Sequence, residues 1–155
     1  MKIHISAVAG FLLVVIGLFL QFLIGDVRGI WICFPLAALI ALSFFLSFYE
    51  ILFIDIFALF VAQWQPTISF ELVVLGALPV CSYLARKVFQ LEPWAGNILF
   101  TFFGVAGLYA LIGVRVLTHN TPLFFLDLVV SLLYSVLVFK AMSSFFSTEE
   151  PDFIS

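Results

Sequence analysis

Long apolar stretches separated by short polar breaks set the pattern of this chain. A helix that crosses the hydrocarbon core of a bilayer needs about 20 consecutive apolar residues. Residues 5–25, 30–48, 68–86 and 97–117 meet that requirement, and a fifth stretch at 122–146 is long enough to tilt or to emerge. From Ile30 to Gln63 hydrophobicity is nearly unbroken. At a rise of about 1.5 Å per residue, one helix of that length would be on the order of 50 Å, well beyond a core of about 30 Å. The chain must therefore turn within it. The polar interruption Ser47-Phe48-Tyr49-Glu50 places a tight turn there and leaves 51–64 as a short third span, although no Gly or Pro enforces that turn. The other connections carry Gly, Pro or Asn: Gly25 to Gly29, Trp64-Gln65-Pro66-Thr67, Arg86 through Gly96 with Pro93, and Thr118-His119-Asn120-Thr121-Pro122. The expectation is an all-α, polytopic transmembrane bundle of six spans, or five if the short one does not cross. It forms a single domain over 1–146, followed by a short acidic tail at 147–155.

Composition supports a lipid solvent. Of 155 residues, 65% are hydrophobic and 10% charged, too little polar surface for a water-soluble domain of this size. Six basic against nine acidic residues leave no basic face for nucleic acid. Lys2 ahead of an apolar run imitates a secretory signal, but the run exceeds the usual ~7–15-residue signal core and Gln21 to Gly25 offers no small-x-small cleavage site. It is expected to stay as the first span. Lys2, Arg86, Lys87 and Lys140 fall on one side of a six-span chain and Arg28 and Arg115 on the other, so the positive-inside rule predicts cytoplasmic N- and C-termini. Trp31, Trp64 and Trp94 fall at expected helix ends, where indoles anchor at the interface. Cys33 and Cys81 read as small packing residues.

Ionisable groups inside apolar spans are costly and face protein or a wet cavity. Glu50 and Glu71 lie near span ends, within reach of the headgroups. Asp55 has no basic residue in its own span, so it is expected to be protonated or paired with another helix. Asp127 heads a stripe with Ser131, Tyr134 and Ser135, at spacings of four, seven and eight, and that face should point at protein. Asn97, Thr101 and Gly104 form a similar stripe on the preceding span, and Gly10 and Gly17 share a face of the first. Small and hydroxyl-bearing residues of this kind commonly pack helix against helix. The candidate intramembrane polar or partner-contact residues are thus Asp55, Glu71, Asn97, Thr101, Asp127, Ser131 and Tyr134.

Catalytic motifs are absent. There is no Gly-x-Ser-x-Gly elbow, no His-Glu-x-x-His pair, no Gly-rich phosphate loop and no ladder of arginines. His4 and His119 have no second ligand nearby in sequence, so neither a metal nor a cofactor is expected. Two aspartates are also what intramembrane peptide hydrolysis requires, but Asp55 in Ile-Asp-Ile and Asp127 in Leu-Asp-Leu lack the Asn-rich and Gly-Asn surroundings of lipoprotein signal peptidases. A non-enzymatic role is expected.

In length and in its order of spans, the chain resembles the rod shape-determining protein MreD family. The stretch Ser47 to Phe57 is similar to that family's short span after a tight turn, and its aspartate is matched by Asp55, while the family's glycines are missing here. Pro122 to Tyr134, with Asp127, resembles the closing helix. The resemblance implies a six-helix bundle like the substrate-binding subunits of energy-coupling-factor vitamin transporters. It also implies a scaffold role in the bacterial inner membrane, supporting the complex that builds the lateral wall, with an MreC-like protein as partner. The alternative is a substrate-binding subunit of a small-molecule transporter, with a cavity lined from the Asp55, Asn97 and Asp127 faces.

Overall fold

A computed structural model describes residues 2–28, 33–62, 70–89, 91–111 and 120–147. Trp31, Trp64, Arg115, His119 and the acidic residues of the tail lie outside these, as do the side chains of Lys2, His4, Arg28 and Glu71. The described residues form six helices and no strand: α1 (Lys2–Arg28), α2 (Phe34–Leu42), α3 (Phe48–Ala62), α4 (Phe70–Val88), α5 (Pro93–Leu111) and α6 (Thr121–Ser147). A stretch of α1, Ser6–Ile24, together with α5 and the Thr121–Phe146 part of α6, is long and apolar enough to cross a membrane. Large apolar side chains such as Phe19, Phe103, Leu133 and Leu137 stand outward on these three helices, a surface suited to hydrocarbon rather than water.

Successive helices run in opposite directions. Gly10 of α1 meets Leu42 and Leu46, whereas Gly17 meets the backbone of Phe34, so α1 and α2 are antiparallel. Phe48 of α3 packs on Tyr83 of α4, and further along Leu59 reaches Gly76. Asn97 of α5 bonds Ser135 of α6, while Tyr109 bonds Asp127. At the centre lies α2, which packs on each of the other five helices and buries all nine of its residues. Ala37, Ala38 and Ala41 keep it slim enough for that position.

The helix expected over 30–48 is much shorter. Proline in its first turn fits a helix start, and α2 ends at Leu42. The hydroxyl of Ser43 then donates to the Ile40 carbonyl at 2.7 Å, and the backbone tightens through Phe44 to Leu46. Nine residues rise only about 13 Å, so α2 by itself does not match the core thickness. The turn expected at Ser47 to Glu50 lies at Ser43 to Ser47 instead, and residues 48–50 are already helical. Its cause is the acidic half of a capping box: a Glu50 carboxylate oxygen accepts from both the backbone N–H of Ser47 (2.9 Å) and its hydroxyl (2.7 Å). The first helical bond of α3 runs from Ile51 N–H to the Ser47 carbonyl.

Other boundaries move for similar reasons. The connection expected from Gly25 gives way to helix through Arg28, no proline interrupting α1. The Arg86–Gly96 connection shrinks because α4 continues to Val88 and α5 begins at Pro93, whose missing N–H costs nothing at a first helical position. The start of α6 lies one residue from its expected place, with Asn120 preceding it and its carbonyl accepting from Leu123 N–H at 2.9 Å.

Candidate functional site

The polar stripes of α5 and α6 face each other. Asn97, Thr101 and Ser135 are each at most 1% exposed and form one linked group. The Ser135 hydroxyl donates to Asn97 Oδ1 at 2.9 Å and lies 2.8 Å from the Thr101 hydroxyl, while Asn97 Nδ2 reaches the Ser135 carbonyl at 3.4 Å. These bonds join one turn of α5 to Ser135 of α6. Between helices in lipid such a bond is worth about 0.6 to 2 kcal/mol, modest because the separated groups find other partners.

Towards the other end of the same interface stands Asp127, equally buried. Its Oδ2 accepts from the Tyr109 hydroxyl of α5. Its Oδ1 accepts from the Ser131 hydroxyl one turn along α6 (3.2 Å) and from the backbone N–H of Cys33 (3.3 Å). Cys33 is the residue that caps the start of α2 and offers no side-chain bond of its own there. The carboxylate of α6 thus sits where an acidic cap belongs, at the positive end of a helix 94 residues away in sequence.

Tyr134, on the same face of α6, turns instead to α1. Its hydroxyl donates to the Leu13 carbonyl at 2.7 Å, and its ring lies in the space left by Gly17, where a Cβ would stand 3.2 Å from the hydroxyl oxygen. The two sequence stripes and the α1 glycine are therefore one continuous set of contacts among α1, α2, α5 and α6.

Asp55 belongs elsewhere. It is 3% exposed and lies against α4, beside Gly76. Glu71 is in the first turn of α4. The structure joins Asn97, Thr101, Asp127 and Ser131 along the α5–α6 interface, turns Tyr134 to α1 and sets Asp55 against α4. Tyr109 was not among the sequence candidates, since nothing in its spacing points to Asp127. The capping pair Ser47 and Glu50 did carry a signal, the Ser-x-x-Glu pattern.

Chemically, the Asp127 cluster is an acceptor saturated with donors from three segments, which orients helices and stabilises the carboxylate in place. Among the described residues, no group of three or more His, Cys, Asp or Glu side chains is arranged to hold a metal ion. On the outer surface, an open apolar groove of about 420 Å³ runs between α1 and α3, walled by Ala7, Val8, Phe11 and Phe53, with Tyr49 and Glu50 also lining it. No protein-family model, no curated protein and no solved structure matches this chain.

Proposed function

We propose that this chain is a non-enzymatic membrane scaffold of the MreD type, a bundle of six spans in the bacterial inner membrane that supports the cell-wall elongation complex through an MreC-like partner. The observation that carries the scaffold reading is the way Asp127 is used. Its oxygens are taken up by Tyr109, Ser131 and the α2 cap, so the costliest group in the α5–α6 interface is engaged in fixing helix positions. A rigid helical frame is what a binding platform requires, and the order of spans supplies the likeness to the MreD family.

The topology belongs to the same reading. Arg86 lies over the ring of Phe44, and Phe139, next to Lys140, packs on Phe44 and Phe45. Arg86, Lys87 and Lys140 therefore gather at the end of the bundle where α2 turns into α3. By the positive-inside rule that end is cytoplasmic, and so are both termini. The short α2 lies wrapped in the other five helices, shielded from lipid.

The test is co-purification from a rod-shaped bacterium that carries the gene. The wild-type chain brings down an MreC-like protein, Asp127→Ala recovers severalfold less of it, and deletion of the gene converts rods to spheres. Rods that keep their shape after deletion, or an Asp127→Ala chain with unaltered fold and partner, would overturn the reading. A metabolite that raises the melting temperature of the purified chain would point to a transporter subunit instead.

A further inference from the structure

Among the described residues, the contact between α3 and α4 holds two hydrogen-bond acceptors that lack a donor. Asp55 is nine-tenths buried and more, and its Oδ1 has no hydrogen-bond partner. Its other oxygen, Oδ2, lies 3.5 Å from the point where a Cβ on Gly76 would stand, so the carboxyl rests directly on the α4 backbone. Three residues later α4 carries Pro79 inside the helix, fully buried. Proline has no N–H, so the carbonyl four residues earlier, that of Leu75, loses its helical donor. That carbonyl belongs to the peptide unit joining Leu75 to Gly76, the residue beside which the Asp55 carboxyl lies.

Among the described residues no cation compensates. On α4 the basic side chains are Arg86 and Lys87, ten and eleven residues beyond Gly76, and both lie over the Tyr83 ring. The other ionisable residues of α4 are Glu71, Cys81 and Tyr83. On α3 itself, Glu50 is engaged by Ser47, and Tyr49 stands outward. Those of α1, namely Lys2, His4, Asp26 and Arg28, are confined to its ends, and beside α2 only Cys33 can ionise, at the Asp127 end. A bare carboxylate there would be both desolvated and unpaired, and the Leu75 carbonyl would be unpaired beside it.

We propose that Asp55 is an intramembrane proton-binding site: in the folded bundle its carboxyl holds a proton and donates it, as a hydrogen bond, to the α4 carbonyl freed by Pro79. One proton then satisfies both groups, and the kinked helix is fastened to α3 at its weakest turn. Gly76 is what lets the two backbones approach closely enough.

Infrared spectroscopy of the chain in lipid nanodiscs at neutral pH tests this. The carbonyl stretch of an un-ionised carboxyl is present in the wild type, is lost in Asp55→Asn and remains in Asp127→Asn. Asp55→Asn also keeps the wild-type melting temperature, because its amide supplies the same donor, whereas Asp55→Leu lowers it. In Pro79→Ala, where the backbone again supplies an N–H, the band shifts up to the frequency of a free carboxyl. A spectrum in which Asp55→Asn removes no such band overturns the proton site, and a band that does not move in Pro79→Ala overturns the assigned acceptor. If Pro79→Ala does not fold, the wild-type frequency decides: low for a hydrogen-bonded acid, high for a free one.

Discussion

At the scale of single residues, close approach and polar pairing set the structure. Gly104 and Gly107 stand on the same helix and differ in what a methyl group would meet. At Gly104 an added Cβ would stand 2.7 Å from Cδ1 of Ile40, a side chain wholly enclosed at the centre of the bundle; at Gly107 nothing lies within 4 Å. Gly104→Ala is therefore expected to cost about 1–3 kcal/mol by overpacking. Gly107→Ala is expected to stabilise by up to about 1 kcal/mol, since alanine is the better helix former. Thermal or denaturant unfolding in detergent measures both, and equal effects would show that the α2–α5 contact is looser than described. The Asn97-Thr101-Gly104 face was legible from spacings of four and seven. Which of its members is crowded was not, because Ile40 comes from another helix.

At the scale of elements, the informative case is the passage from α2 to α3. Polarity located it to within a few residues but placed the turn on residues that begin the next helix. Ser47 and Glu50 do not interrupt the chain; they start α3, the Glu50 carboxylate taking up the Ser47 N–H that the helix itself leaves open. Glu50→Ala, which removes the acceptor of both bonds, is expected to cost about 0.5–2 kcal/mol, with Glu50→Gln close to wild type because an amide oxygen can accept the same bonds. Hydrogen exchange at the start of α3 reads the effect directly: faster exchange in Glu50→Ala alone supports the capping role, and exchange equally fast in both variants contradicts it. Pro93 worked the other way. It reads as part of a connection between spans, yet it lies at a helix start, where proline is accommodated, as does Pro35 inside the expected 30–48 span.

At the scale of the whole molecule, basic residues from α4 and α6 collect at one end through the packing of Phe44, Phe45 and Phe139. Single cysteines introduced at Lys140 and at Pro122, in a chain with Cys33 and Cys81 replaced, are expected to label from opposite sides of the membrane. An impermeant thiol reagent applied to intact spheroplasts should reach the Pro122 site only, and labelling of the Lys140 site would reverse the orientation. The sequence alone determined that the chain is helical and apolar enough for lipid, because a backbone without water must bond to itself and these stretches leave it no other partner. It also determined which residues share a face, since that follows from 3.6 residues per turn. Only the tertiary structure decided that Asp127 caps α2, that Tyr134 reaches α1, and that Asp55 lies apart from both against α4. Partners on different helices are related by packing, and helical periodicity carries no information about the helix across the contact.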